Sequence, residues 1–228
     1  MSELIDLLKK FKSVKVIDNK IDYSAYCPID LSENNTELST FDYNSSTEFE
    51  KHINHFLNLK NAKVAYGGYL ETRAIYKRSN VFKNNIEEER NIHLGLDLWC
   101  PAGTSVLAAL DGEIHSFQDN NNWGDYGPTI ILKHTFNSIE FYTLYGHLSR
   151  ESLVDKTVGQ KITKGQEIAH LGTNHVNGDY APHLHFQIIH KIDEKKGDYA
   201  GVCNQKNLDF YKMNCPDPEL LLQITSIC

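Results

Sequence analysis

His183-Leu184-His185-Phe186-Gln187-Ile188-Ile189 is the stretch on which the reading of this chain turns. Successive side chains of an extended strand point to opposite faces. His183, His185 and Gln187 therefore share one face, and Leu184, Phe186 and Ile188 share the other. The Cα atoms of the two histidines would lie ~6.6 Å apart, so that both imidazoles can converge on one small object. Pro182 restricts the residue before it and marks where the strand begins.

Outward from this stretch, the chain after about His93 reads as short strands separated by Gly, Asn, Asp and Pro. The pattern predicts strands at Ser105 to Ala109, Gly112 to Gln118, Thr129 to His134, Glu140 to His147, Glu167 to Gly172 and His183 to His190. Such spacing implies a mainly β protein with a few helices (α+β), built on an antiparallel sheet, sandwich or partly open barrel. Residues 1–90 differ in texture and read as a partly helical extension before the β region of 91–228. Leu4, Ile5, Leu7, Leu8 and Phe11 have the spacing of an amphipathic helix. A second helix is predicted from Ser46, where hydroxyl caps precede Phe49, Ile53, Phe56 and Leu57. Lys83 to Arg90 reads as a solvated loop or hinge, and the segment after Pro216 as a short closing helix.

Composition narrows the function classes. The 228 residues are 40% hydrophobic and 23% charged, enough for a real core. A net charge of -7 argues against non-specific binding to polyanions, so no nucleic-acid partner is expected. No membrane partner is expected either. Five cysteines, an odd number without a Cys-x-x-Cys pair, fit a reducing compartment. Glu3 and Asp6 interrupt the apolar residues at the start, which therefore lack the continuous stretch of a secretory signal. The expected location is cytoplasmic.

Three segments concentrate the chemistry among eleven histidines. Besides His183 and His185 there is His93-Leu-Gly-Leu-Asp97, in which a straight strand would hold the Cα atoms of the two end residues ~13 Å apart, near or beyond the reach of a shared ion. Gly95 has no Cβ to resist a bend that would bring them together. The third segment is Tyr145-Gly146-His147, where a strand ends beside a glycine. A catalytic zinc site takes three protein ligands of the His and carboxylate type and leaves a fourth position for water. His93, Asp97 and His185 form such a set for one zinc per chain. His147 and His183 are then the groups for proton transfer, since an unperturbed imidazole titrates near neutrality. Tyr145 shares the face of His147 by strand parity and is a candidate substrate contact, as is His175 in the loop before Pro182. Parity turns Cys100 away from Asp97. His52, His55, His115, His134, His170 and His190 are expected to be ordinary core or surface residues.

His93-x-x-x-Asp97, Tyr145-Gly-His147-Leu-Ser and Pro182-His183-Leu-His185-Phe, in this order, resemble the lysostaphin-type zinc metallopeptidases, the LytM-like peptidoglycan endopeptidases. The resemblance runs from about His93 to Ile189. It implies an antiparallel β core with the metal in a groove across the sheet, with zinc on His93, Asp97 and His185 and catalytic assistance from His147 and His183. The implied substrate is a peptide or muropeptide amide bond. The chain departs from the family at Gly172 to Ala181, a longer loop bearing Tyr180 that would reshape one groove wall, so specificity for glycine bridges does not carry over. Gly67 to Tyr76 is similar to a less common subgroup found as a cytoplasmic-looking domain, sometimes joined to aminotransferase-type enzymes. The rival readings are a non-catalytic metal-binding interaction or regulatory domain of the same fold, and a lipoyl- or biotinyl-type carrier suggested by Val158 to Ile168. The carrier would need Asp-Lys-Ala or Met-Lys-Met, and the chain has neither. The extension could cap the groove or dock a protein partner.

Overall fold

The computed structural model describes residues 1–78 and 89–226. The polar run Lys83 to Arg90 lies almost wholly outside the described residues, as does Cys228. In chain order the elements are α1 (Ser2–Leu8), β1 (Tyr26–Pro28), α2 (Ser46–Lys60), β2 (Val64–Gly67), β3 (Ile92–His93), β4 (Leu96–Trp99), β5 (Ser105–Leu107), β6 (Gly112–Asn120), β7 (Gly127–Phe136), β8 (Ile139–Gly146), β9 (Lys161–Ile162), β10 (Glu167–His170), β11 (His183–Ile189), β12 (Val202–Cys203), α3 (Leu208–Asn214) and α4 (Glu219–Leu222). The molecule is thus mainly β with a few helices, and the six expected strands are present with ends shifted by one or two residues.

Among the described residues the largest sheet runs β1-β2-β4-β11-β8-β7-β6-β9, antiparallel except for the β1–β2 pair. β11 lies near its middle, and its alternation is the one its sequence requires. Leu184, Phe186 and Ile188 enter a core with Leu96 and Leu98 of β4 and Ile130 and Leu132 of β7, covered by Leu4 and Leu8 of α1 and by Leu221 and Leu222 of α4. His183, His185 and Gln187 face the other way, beside Asp97 and Trp99 of β4, with His185 opposite Asp97 and His183 opposite Trp99 in the register. Two smaller apolar clusters border that second face. One joins Phe49, Ile53 and Leu57 of α2 to Trp99, and the other gathers Tyr126, Ile131, Leu144 and Ile189.

Turn chemistry sets the strand ends. Asn137 and Ser138 both take positive φ (51° and 65°) between β7 and β8, as a two-residue hairpin needs to match the twist of its strands. Ser45 caps α2 by accepting from the Glu48 N–H, one residue before the expected start of that helix, and Asn61 closes it in the left-handed region. β1 and β2 were not expected from the sequence. Val64, Ala65 and Tyr66 are all buried, so β2 lacks the alternation that reveals a half-exposed strand. β2 pairs with β4, placing Gly67 opposite Asp97, and thereby brings the first part of the chain against the polar face.

His134 shows how an ordinary histidine is used in this fold. It is fully buried, with Nδ1 2.8 Å from the Asp111 carbonyl and Nε2 2.7 Å from the Thr143 hydroxyl. Burial lowers its pKa to about 4, although the Asp111 carbonyl opposes the shift. Between that value and the unfolded ~6.5 the unfolded chain binds more protons than the folded one, so stability falls as pH drops through this window. Urea titrations from pH 7 to pH 4 are expected to give a shallower loss of stability for His134→Gln than for the unaltered protein.

Candidate metal centre

β11 supplies His185 and β4 supplies Asp97, on facing positions of one antiparallel pair. His93 comes from β3, which pairs with β12 instead, and the chain changes partner at Leu94 and Gly95, where the Leu94 N–H donates to the Gly201 carbonyl (2.8 Å). The break expected at Gly95 is therefore present, and it has a second cause. A Cβ there would lie 2.6 Å from Cε1 of His185 and 2.8 Å from the Phe186 carbonyl oxygen, so only glycine admits the ring. One ligand atom from each of His93, Asp97 and His185 falls within 4.8 Å of the others, and all three residues are buried.

The hydrogen bonds define which nitrogens are free. His93 donates from Nδ1 to the Gly68 carbonyl (2.9 Å), leaving a lone pair on Nε2, and His185 donates from Nε2 to Oε1 of Gln187 (2.9 Å), leaving a lone pair on Nδ1. These two atoms are 2.8 Å apart, and they lie 3.3 and 3.2 Å from Oδ1 of Asp97. Ligand atoms on a tetrahedron with arms of ~2 Å are separated by about 3.3 Å. Three acceptors thus meet with no proton to share, in the arrangement that a divalent cation with His and carboxylate ligands relieves. Burial lowers His93 to about 4 against the opposing pull of Asp97, which keeps its ring neutral near pH 7.

Asp97 is ion-paired through its second oxygen. Its Oδ2 accepts from Nη1 of Arg73 (2.5 Å), and Nε of Arg73 donates to Glu71 (2.5 Å). Burial alone would raise the Asp97 carboxyl, but His93 and Arg73 beside it hold it well below the usual carboxylate range. Oδ1 is left for the imidazoles. Arg73 and Glu71 were not singled out by the sequence, although Gly67 to Tyr76 contains both; nothing in their spacing says that this segment lies behind β4. Gln187 had a readable signal, since parity places it on the His183 and His185 face.

His147 and His183 stand beside the ligand set. Nε2 of His183 is 3.9 Å from Oδ1 of Asp97, and the His147 and His183 ring centroids are 4.2 Å apart. His147 donates from Nδ1 to the Asn177 carbonyl and His183 from Nδ1 to the Ala181 carbonyl, each at 2.8 Å, so both Nε2 atoms are unprotonated and free. Burial pushes His183 to about 4 and His147 well below the usual histidine range. Trp99 stacks on His183 at 3.9 Å, and Tyr180 meets the His147 ring edge-on at 5.1 Å. Tyr126 places its hydroxyl 3.4 Å from Nε2 of His185.

Two expected substrate contacts are corrected. Tyr145 pairs with Phe186 across the strands, packs on it in the core, and receives the Ala109 N–H on its hydroxyl. It is fully buried and does not share the face of His147, because His147 takes a φ of 63° and so breaks the alternation on which that expectation rested. His175 is exposed in its loop and does not line the groove. Cys100 lies in the core as parity required, and His52 and His55 lie on α2. The groove itself encloses about 760 Å³, and its walls include Leu31, Phe49, Lys195 and Tyr199.

Residues 91–199 match the family model described as peptidase family M23. The chain is similar to the peptidoglycan DD-endopeptidase ShyC of Vibrio cholerae, with 36% identity over 98 residues that cover 42% of this chain and 20% of that protein. It is also similar to the cell division protein DipM of Caulobacter vibrioides, with 30% identity over 94 residues, 41% of this chain and 14% of that one. The matched part is at most about a fifth of the length of these curated relatives. Among solved structures, the catalytic domain of the antimicrobial peptidase lysostaphin from Staphylococcus simulans is 25% identical, covering 68% of this chain and 95% of that one with a TM-score of 0.39. A zinc containing peptidase from Vibrio cholerae is 28% identical, covering 48% of this chain and 31% of that one with a TM-score of 0.36.

The close approach at Gly95 can be tested directly. Gly95→Ala is expected to displace the His185 ring and to weaken zinc binding by roughly tenfold or more while the sheet still forms, in line with the sensitivity of metal sites to the groups that orient their ligands. Competition titration with a zinc-sensitive dye, alongside circular dichroism, measures both.

Proposed function

We propose, from the premise that residues 91–199 belong to peptidase family M23, that this chain is a zinc-dependent metallopeptidase that hydrolyses amide bonds in peptidoglycan-type peptides. The observation that carries this reading is the convergence of the free lone pairs of His93 and His185 on Oδ1 of Asp97, with two further neutral imidazoles alongside. The peptide class is supported by the relative named as a peptidoglycan DD-endopeptidase. When held by His93, Asp97 and His185, zinc supplies a Lewis acid that polarises the scissile carbonyl and acidifies the attacking water.

The chain's own groups do the rest. His183, with Nε2 3.9 Å from Oδ1 of Asp97, accepts the proton of the attacking water; its lowered pKa keeps that nitrogen unprotonated beforehand. His147, whose ring centroid lies 4.2 Å from that of His183 and 6.4 Å from that of His185, serves the leaving amine or the developing oxyanion. Tyr126 and Tyr180 flank the site and limit the water that reaches it. Arg73 holds the second oxygen of Asp97, which keeps Oδ1 turned toward the imidazoles. The described residues contain no helix long and apolar enough to cross a membrane. Four free cysteines among them support the proposal of a reducing, cytoplasmic setting.

Alanine at His93, Asp97 or His185 is expected to reduce zinc content, measured by metal analysis of the purified variants. Alanine at His147 or His183 is expected to leave one zinc per chain and to lower cleavage by ~10²–10⁴-fold. The assay is mass spectrometry of a panel of peptidoglycan fragments incubated with metal-replete protein against a His183→Ala control. Full zinc occupancy in His185→Ala overturns the ligand set. Zinc bound without cleavage of any fragment leaves a metal-binding interaction domain of the same fold.

A further inference from the structure

α2 lies outside residues 91–199, yet one of its faces is linked to both of the histidines assigned to proton transfer, through Trp99 to His183 and through the 172–181 loop to His147. Ser46 and Phe49 are three residues apart on the helix and so point the same way. Phe49 meets Trp99 edge-on at 5.2 Å, and Trp99 in turn stacks on His183. Ser46, itself buried, donates from its hydroxyl to Oδ1 of Asp179 (2.6 Å) and accepts from the Asn174 side-chain amide (3.1 Å). Asn174 and Asp179 bracket Asn177, whose backbone carbonyl takes the Nδ1 proton of His147.

The loop between those residues needs holding. Gly178 and Asp179 are both left-handed, with φ of 85° and 65°, and an aspartate in that region is tolerated but not favoured. Asp179 is secured from two sides, by Ser46 on Oδ1 and by the Trp123 indole N–H on Oδ2 (3.1 Å). The fully buried Asn177 side chain accepts from the Tyr180 N–H and donates to the Tyr180 carbonyl, which closes the turn around the carbonyl that His147 uses. His147 is also left-handed, with φ of 63°, so its backbone does not by itself fix where the ring points.

We propose that Ser46 and Asp179 are positioning residues for the reaction: their hydrogen bond sets the 172–181 loop so that the Asn177 carbonyl fixes the tautomer and direction of the His147 ring. The first part of the chain then completes the proton-transfer half of the site. What His147 does rests on the peptidase reading above; how it is held does not.

The test uses the zinc-loaded full chain and two readouts, steady-state cleavage and the imidazole ¹⁵N resonances of His147, assigned with His147→Gln. Ser46→Ala is expected to keep one zinc per chain and an unchanged KM, to lose roughly 10- to 100-fold in kcat, and to turn the single Nδ1–H tautomer of His147 into an exchanging mixture. Ser46→Thr, which keeps the hydroxyl, restores both. Ser45→Ala removes the helix cap but not the contact to Asp179, and its His147 resonances should match those of the unaltered protein. Unchanged His147 resonances in Ser46→Ala, or an equal change in Ser45→Ala, overturn the proposal. If the unaltered chain cleaves nothing, the peptidase reading fails, and the resonances alone decide this one.

Discussion

A carboxylate that is 1% exposed is the constraint around which the polar face is arranged. A lone charge buried like Asp97 would take up a proton or disrupt the fold, because the interior cannot replace its hydration. Here Arg73 meets one oxygen, while the other faces the free lone pairs of His93 and His185, a set of acceptors that a cation would complete. Arg73 is buried as well and is shared with Glu71, so that one cation faces two carboxylates and the group keeps one negative charge. These partners come from three separate segments, and they can meet only if β2 lies against one side of β4 and β11 against the other. Removing Arg73 would strand the charge of Asp97, which couples the packing of the early chain to the integrity of the site.

A second regularity concerns the four imidazoles. Each gives its one N–H to an oxygen outside the cluster: the Gly68 carbonyl for His93, the Asn177 carbonyl for His147, the Ala181 carbonyl for His183, and the Gln187 side chain for His185. The four remaining lone pairs are therefore left to the site, and the tautomers need no metal to define them. Three of these acceptors are backbone oxygens outside the strands. Irregular chain is used here because a carbonyl inside a ladder is already committed to its neighbour, whereas a loop carbonyl can be aimed.

The parts of the site that were legible in the sequence are those governed by period two. β11 alternates without interruption, so the shared face of His183, His185 and Gln187 and the burial of Leu184, Phe186 and Ile188 follow from local geometry. The pairing of His93 with Asp97 was legible only through Gly95, whose missing Cβ allowed a bend and, in the fold, makes room for the His185 ring. The same rule misplaced Tyr145 because it assumed that the strand continued through His147, where a left-handed residue ends it. β1 and β2 escaped notice because they are short, and β2 is buried on both faces. Neither the alternation nor the composition of such a strand separates it from a buried loop.

The sequence by itself determined the alternation of β11, the six strands read from it and the residue types able to bind a cation, since strand alternation, turn residues and caps act over a few neighbouring positions. Tertiary structure decided the rest: that Arg73 and Glu71 stand behind Asp97, that Ser46 grips the loop beside His147, and that Tyr145 belongs to the core. Those outcomes depend on contacts between residues far apart in the chain, 24 positions for Arg73 with Asp97 and 133 for Ser46 with Asp179. Such contacts form because burying a charge or a strained turn demands a partner, and only the packed sheet determines which segment is near enough to supply it.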